Sequence, residues 1–326
     1  MIRSFLRDRV IRLSLGVFIA TFVYAMMVQR AVLGTTGHGA FVPQVAVTVA
    51  FVFVLASVAM FILYITHVAN MMRVATMVTA IGDESTALIA VRYPPDQPLE
   101  GSHPPLGPTA RTVPAPRGGV VVSVNEAVLV RRACQAGATL VVVPRVGDYV
   151  PTGGPLLEVR CHDRSGQGVA ALRDADLVGE VAFDSERTME QDLAFGFRQL
   201  VDIAQRALSP STNDPTTAAQ VLDVVHDLLR QLATRHLPTG FFVDTEGVER
   251  LLVPQYRFDD FLAVGIGEIW RYGSDAAQIP GRMAVLLADI ARAAIPEHVD
   301  PIARWTELIE HTRPQPGTEG VGPGRP

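Results

Sequence analysis

Hydrophobic residues are spread unevenly along this chain. Leu13 to Val28 is apolar and uncharged, and Ala31 to Leu33 extends the run past Gln29 and Arg30. Val45 to Ile65 also carries no charge, and Pro43 stands at its start, where proline is tolerated. A membrane-crossing helix needs about 20 such residues, so both runs predict spans, the first with Arg30 reaching to the interface. The short polar link 34–40 makes the pair a helical hairpin. His67, at the inner end of the second run, reads as an interfacial histidine. Met71 to Val91 keeps a helical, mildly apolar pattern and predicts a lead-out helix.

The pattern then breaks. Tyr93 to Gly119 contains Pro94, Pro95, Pro98, Pro104, Pro105, Pro108, Pro114 and Pro116, which predicts an extended linker. Short β-runs follow at Val120–Val124, Thr139–Val143 and Leu156–Arg160. Between the first two, Asn125 caps a helix over Glu126 to Gln135, closed by Gly137. From Arg187 onward the period is helical. Met189, Leu193, Phe197, Leu200, Ala204 and Leu208 make one apolar face. Further helices are predicted over Phe258–Arg271, Pro280–Ala294 and Asp300–His311, and 312–326 is Gly/Pro-rich.

The expected fold is therefore a membrane α-helical hairpin plus a cytoplasmic α+β region, a small β-module followed by a helical domain. Its parts are two transmembrane helices (1–70), a helical lead-out with a Pro-rich linker (71–118), the β-rich module (119–183), the helical domain (184–312) and a disordered tail (313–326). Orientation follows from arginine placement. Arg3, Arg7, Arg9 and Arg12 precede the first span and Arg73 follows the second, against Arg30 alone on the other side. Both termini are thus expected in the cytoplasm, with the protein multi-pass in the membrane.

Composition narrows the chemistry. Net charge is −5, so the chain as a whole offers nucleic acid no basic field. All 28 basic residues are arginine, which excludes Schiff-base, biotinyl-lysine and lipoyl-lysine chemistry. Cys134 and Cys161 lack metal spacing and read as reduced thiols. No HExxH, CxxC, EF-loop, Walker or GxSxG pattern occurs, so neither a metal nor a cofactor is expected and no catalytic residue is assigned. His226 shares a helix stripe with Asp223, Asp227 and Arg230, the pattern of a solvated face.

The candidate binding residues surround one connector, Ser209-Pro210-Ser211-Thr212-Asn213-Asp214-Pro215. Arg198, Asp202 and Arg206 form an i, i+4 ladder on the helix before it. Asn213 or Asp214 is the N-cap of the next helix, with Pro215 at its first position and Thr216 and Thr217 among its free N–H groups. A helix N-terminus attracts anions, and an arginine facing it across a short loop would hold a phosphate, carboxylate or nucleotide. The competing reading is capping and packing, with Asp214 already satisfying those N–H groups. The candidate ligand set is Arg198, Asp202, Arg206, Ser209, Asn213, Asp214, Thr216 and Thr217.

Three blocks carry a family resemblance. They are Phe5–Arg9 leading into Leu15–Tyr24, the turn Val146-Gly147-Asp148-Tyr149-Val150, and Gln191-Asp192 through Ala207–Pro210 to Asn213–Ala218. Together they resemble the domain-of-unknown-function 2254 family of bacterial predicted membrane proteins. The resemblance implies about four transmembrane helices ahead of the soluble region, so a first hairpin is expected to be missing here. The stretch Gly147 to Leu156 also resembles a barrel-sandwich hybrid turn, without the lysine a carrier module needs.

The first functional expectation is a non-enzymatic membrane protein with a cytoplasmic regulatory or ligand-sensing domain. Its partners are the lipid bilayer, a second copy in a homo-oligomer and a small anionic ligand. The second is a subunit of an oligomeric channel or transporter, and the third a membrane-bound enzyme using the Arg206 to Asp214 loop.

Overall fold

A computed structural model describes residues 9–33, 44–95, 106–161 and 169–312. The arginines ahead of the first span, the link 34–40, His67, much of the proline-rich stretch and the tail 313–326 lie outside the described residues or side chains. The chain forms two compact units, Met1–Thr76 and Met77–Pro326.

In the first unit, helix α1 (Arg9–Leu33) meets the start of helix α2 (Gln44–Arg92). Thr21 and Tyr24 of α1 reach across to α2. Thr21 Oγ1 donates to the Val17 carbonyl at 2.8 Å and to the Phe53 carbonyl at 3.4 Å. The Tyr24 hydroxyl donates to the Ala46 carbonyl at 3.4 Å, and its ring meets Phe53 edge-on at 5.2 Å. Ser14 is buried as well. The outer faces are the reverse: Phe22, Val45, Phe51 and Leu63 are all strongly exposed. Each such side chain would forgo about 1.5–3 kcal/mol of burial in water, and hydrocarbon removes that penalty.

Three stretches are long and apolar enough to cross a membrane: Leu13–Arg30, Gln44–Thr66 and Val74–Arg92. The sequence pattern anticipates the first two as spans and the third as a lead-out helix. The third differs chemically, since it carries Asp83 and Glu84 mid-stretch. Its Val78, Ser85 and Ile89 are buried inside the second unit. A Cβ on Gly82 would stand 2.7 Å from Val224 Cγ1, so the helices approach closely there. Arg92 pairs with Glu126 at 2.7 Å. At the end of α2, Arg235 donates to the carbonyls of Ile89 (3.2 Å) and Tyr93 (2.7 Å), occupying acceptors that a helix terminus leaves open.

The second unit is α+β. Strands β1 (Thr109–Pro114), β2 (Gly119–Val124), β3 (Ala138–Val142), β4 (Tyr149–Val150), β5 (Pro155–Cys161) and β6 (Val181–Asp184) surround helices α3 (Glu126–Gln135) and α4 (Asp174–Val178). Helices α5 (Leu193–Leu208) and α6 (Pro215–Ala233) follow as a hairpin. Strands β7 (Phe241–Val243) and β8 (Glu249–Leu252) come next. The final helices are α7 (Phe258–Leu262), a π-helical segment Ala263–Gly267, α8 (Glu268–Gly273), α9 (Ile279–Ala293) and α10 (Pro296–Thr312).

Two sheets form, β1-β5-β3-β8-β7 and β4-β2-β6. Strand β3 is buried along its whole length, which is why it reads as an unbroken apolar run rather than an alternating one. It pairs antiparallel with β5 (Leu140 opposite Val159) and parallel with β8 (Leu140 opposite Leu251). The β8 pairing changes the expected division. Residues 241–252, placed by the sequence pattern in a purely helical region, complete the sheet of the β-module across the 183/184 boundary. Part of the proline-rich stretch is likewise a strand: β1 pairs with β5 and ends at Pro114. As a sheet edge, β1 tolerates proline where a central strand would not.

The helix predictions hold within a few residues. Asn125 accepts from Val128 N–H, and Gly137 takes the left-handed conformation (φ +59°) that closes α3. On α5, Leu193, Phe197, Leu200 and Ala204 are buried, as their spacing predicts. Gly265 and Gly267 fall in the π segment, against Phe197 and Trp305, and serve close packing.

His298 gives the unit a pH dependence. It is buried, stacks on Phe258 at 4.3 Å and has Nε2 3.0 Å from the Arg235 carbonyl. Burial pushes its pKa below the usual value, opposed by the Arg235 carbonyl and Glu297. The unfolded chain therefore takes up the proton first, so this contribution is complete above pH about 6.5 and is lost as pH falls through the lowered folded value. Unfolding midpoints of the detergent-solubilised chain between pH 8 and 5 should drop on the acid side. His298→Phe should flatten that slope while costing about 1 kcal/mol at neutral pH for the lost hydrogen bond. An unchanged slope would remove His298 from the effect.

Candidate functional site

The Ser209–Pro215 connector is a rigid turn built by its own polar groups. Ser209 Oγ donates to the Arg206 carbonyl (2.8 Å), and the N–H groups of Thr212 and Asn213 both reach the Ser209 carbonyl. Asp214 N–H returns to the Ala207 carbonyl at 2.7 Å. This geometry forces Asn213 to φ +44°, a left-handed conformation that asparagine accepts and branched side chains resist. Asn213→Gly should leave stability nearly unchanged, whereas Asn213→Val should cost about 1–2 kcal/mol. Chemical denaturation of the two variants in parallel checks this, and equal midpoints would contradict it.

Of the two N-cap candidates, Asp214 is the cap. Its carboxylate accepts from Thr217 N–H (3.1 Å) and from Thr217 Oγ1 (2.5 Å), and Pro215 is the first helical residue. The N-terminus of α6 thus already holds a negative charge of its own. Thr217 is buried and engaged, and Thr216 is exposed beside it. The anion geometry anticipated at this helix end does not form.

Arginine chemistry lies one helix face away. Arg198 is committed, pairing with Asp202 at 2.9 Å and with Glu268 of α8 at 2.6 Å. Gln205 also donates to Glu268, tying α5 to α8. Past this tie the two helices border an open cleft of about 1230 Å³. Asp202, Arg206, Ser209 and Asn213 line one side, and Arg271, Tyr272, Ser274 and Asp275 line the other. Four of the eight residues singled out in sequence therefore meet at one cleft; Arg198, Asp214, Thr216 and Thr217 are not among its lining residues. Among the described residues, neither Arg206 nor Arg271 has a carboxylate partner within ion-pair distance, and both are exposed. The Arg271–Asp275 side escaped the sequence reading. Arg271-Tyr272-Gly273-Ser274 ends one helix some 60 residues beyond the connector, and the Glu268 ties to α5 and the close approach of Gly273 to Leu208 bring it there.

The other shared blocks meet at a second place. Gln191 clamps β2, its Oε1 accepting from Val124 N–H (3.0 Å) and its Nε2 donating to the Val124 carbonyl (3.3 Å). Asp192 caps α5 through Phe195 N–H at 3.0 Å and holds Arg187 in a two-pronged pair at 2.8 and 3.0 Å. It is 3% exposed, and burial pushes its carboxyl up against the opposing pull of Arg187 and Phe195 N–H. Gly147, with φ +97°, presses directly on this pair: a Cβ there would sit 2.2 Å from Asp192 Oδ2 and 2.8 Å from an Arg187 nitrogen. Arg145 covers the Tyr256 ring at 4.8 Å and pairs with Asp260 at 3.4 Å. Burial raises the Tyr93 and Tyr256 hydroxyls above their ordinary value, and the Asp192 charge adds to this. The cluster docks the β4 turn onto the start of α5. Its polar groups serve one another.

His226 is a structural tie as well. Its Nε2 lies 3.0 Å from Asp289 of α9, which Arg230 also holds at 2.8 Å. The hydrogen bond from His226, with help from Arg230, keeps the Asp289 carboxyl below the usual range. Asp223, Asp227 and Arg230 are exposed, as the solvated-face pattern predicts, and His226 alone of the stripe is half-buried against α9.

Comparison with known proteins gives a consistent picture. A family model described as "Predicted membrane protein (DUF2254)" matches residues 1–289. Relatives include the uncharacterized proteins Mb1321c of Mycobacterium bovis and Rv1290c of Mycobacterium tuberculosis. Each is 33% identical over 309 residues, which cover 93% of this chain and 58% of the relative. The chain thus spans little more than half the length of these relatives. No solved structure matches it significantly.

Proposed function

This chain belongs to the DUF2254 family of predicted membrane proteins, and we propose that it is a membrane-anchored sensor whose cytoplasmic unit binds a small anionic ligand. The observation that carries the reading is the cleft between α5 and α8, where Arg206 and Arg271 stand exposed without a carboxylate partner. Structural arginines in this unit are paired: Arg92, Arg187, Arg198 and Arg250 each hold a carboxylate within 3 Å. Two guanidiniums left open in one cleft are a charge-assisted donor set awaiting an acceptor.

The rest of the reading concerns placement. Leu13–Arg30 and Gln44–Thr66 cross the inner membrane of a bacterium, with their exposed apolar faces toward lipid. Val74–Arg92, with two carboxylates and a face buried in the second unit, belongs to that unit rather than to the bilayer. The excess of arginine before the first span and after the second supports a cytoplasmic position for both ends. Ser14 and Thr21 point into the hairpin, leaving few polar groups to line an ion path. The anchor reading is therefore favoured over the channel reading.

The test is a thermal-unfolding screen of the full chain in detergent. Anions, metabolite carboxylates, phosphorylated compounds and neutral sugars would be compared on wild-type protein and on Arg206→Ala. A bound ligand raises the midpoint in proportion to the logarithm of its excess over Kd. The expected result is stabilisation by an anionic class that disappears in a folded Arg206→Ala protein. Stabilisation that survives the substitution, or no stabilisation by any class, would sink the proposal.

A further inference from the structure

Resting on the sensor reading, we infer that the α5–α8 cleft takes a soluble phosphomonoester joined through a sugar to a planar ring, chemically a nucleoside monophosphate. The charge count favours phosphoryl over carboxylate. A carboxylate carries one negative charge and is satisfied by one guanidinium fork. A phosphomonoester carries about −1.5 to −2 near neutral pH and three acceptor oxygens, which suits the two open guanidiniums of Arg206 and Arg271.

The other lining groups suit the rest of such a molecule. Tyr272, next in sequence to Arg271, lines the cleft with its side chain 56% exposed. An aromatic ring of that exposure in a cleft that two guanidiniums also line is a platform on which a planar base stacks. Asp275, at the same rim and without a cationic partner among the described residues, is an acceptor for sugar hydroxyls. Asp202 pairs with Arg198 at 2.9 Å and, among the described residues, lies beyond ion-pair distance of Arg206. The cleft of about 1230 Å³ is far larger than a bare phosphate requires, and falls just above the usual range for small-molecule sites.

Isothermal titration of the full chain in detergent tests this, with 5′-AMP, inorganic phosphate, adenosine and succinate as probes. A parallel titration would use nanodiscs containing a phosphoinositide. Arg206→Ala and Arg271→Ala should each weaken 5′-AMP and phosphate roughly tenfold or more, the loss expected for one charged hydrogen-bonding partner. Tyr272→Ala should weaken 5′-AMP several-fold and leave phosphate unchanged. Arg292→Ala, an exposed arginine on α9 away from the cleft, should change neither. Because the cleft residues are exposed, these variants keep the wild-type unfolding midpoint.

Arg206-dependent binding of succinate without 5′-AMP would overturn the phosphoryl assignment while leaving the sensor reading intact. So would binding of the lipid-borne phosphate alone. Binding of 5′-AMP that ignores both arginines would place the nucleotide elsewhere and overturn the inference. Failure of every probe to bind would overturn it too, and the sensor reading would then stand or fall on the wider screen.

Discussion

Gly147→Ala is expected to destabilise the second unit by about 3–5 kcal/mol, the scale of breaking a buried ion pair. Two costs combine. At φ +97° an L side chain is strained by about 1–2 kcal/mol. The new Cβ would also occupy space within 2.2 Å of Asp192 Oδ2 and 2.8 Å of Arg187, so the two-pronged pair must open or the β4 turn must lift. Either movement detaches the turn from the start of α5. Urea unfolding of the detergent-solubilised chain reads the loss. A change below about 1 kcal/mol would mean that the turn can shift without disturbing Asp192.

Asp192→Ala attacks the same contact from the other side, with an expected loss of about 3–4 kcal/mol. The N-cap of α5 contributes about 1 kcal/mol of this. The remainder comes from Arg187, left half-buried without its carboxylate. Asp192→Asn retains an acceptor for Phe195 N–H and should lose clearly less. Replacing both partners, Asp192→Ala with Arg187→Met, should recover part of the stability, because no charge is then stranded. In a double-mutant cycle the two changes should be strongly non-additive. Simple additivity would contradict the account of a coupled pair.

Both predictions concern residues visible in the sequence as motif members but not as neighbours. The Val146–Val150 turn and Gln191-Asp192 lie more than 40 residues apart, and nothing in local spacing joins them. What local spacing does carry emerged well. The apolar stripe of α5, the Asn125 and Asp214 caps, Pro215 at the first helical position and the central strands follow from period and turn chemistry. Strands β7 and β8 did not, because β7 is only three residues long and β8 opens on the charged Glu249 and Arg250. In the turn between them, Asp244 pairs with Arg250 and accepts from the N–H groups of Val248 and Glu246, which together hold its pKa at about 2. The edge strand β1 was hidden by proline density.

The cleft shows the same division. Its α5 side was legible, because Arg206, Ser209 and Asn213 surround a connector rich in polar and proline residues. At the helix end itself, of the two readings weighed, the geometry matches capping and packing: Asp214 fills the N-terminus of α6. Arg198 and Asp202 do pair at i, i+4 as the ladder predicts, yet the partner that matters for architecture is Glu268, which no local pattern reveals. Whether an arginine is free or spent depends on tertiary neighbours, and so the open pair Arg206–Arg271 emerges only from the fold.

The most direct test of the sensor account is hydrogen–deuterium exchange on the full chain, with and without saturating 5′-AMP or any stronger anion from the screen. The account predicts slowed exchange confined to 202–213 and 271–276, the two walls of the cleft, and no such change in Arg206→Ala. Protection elsewhere, or none at a concentration that shifts the unfolding midpoint, would contradict it.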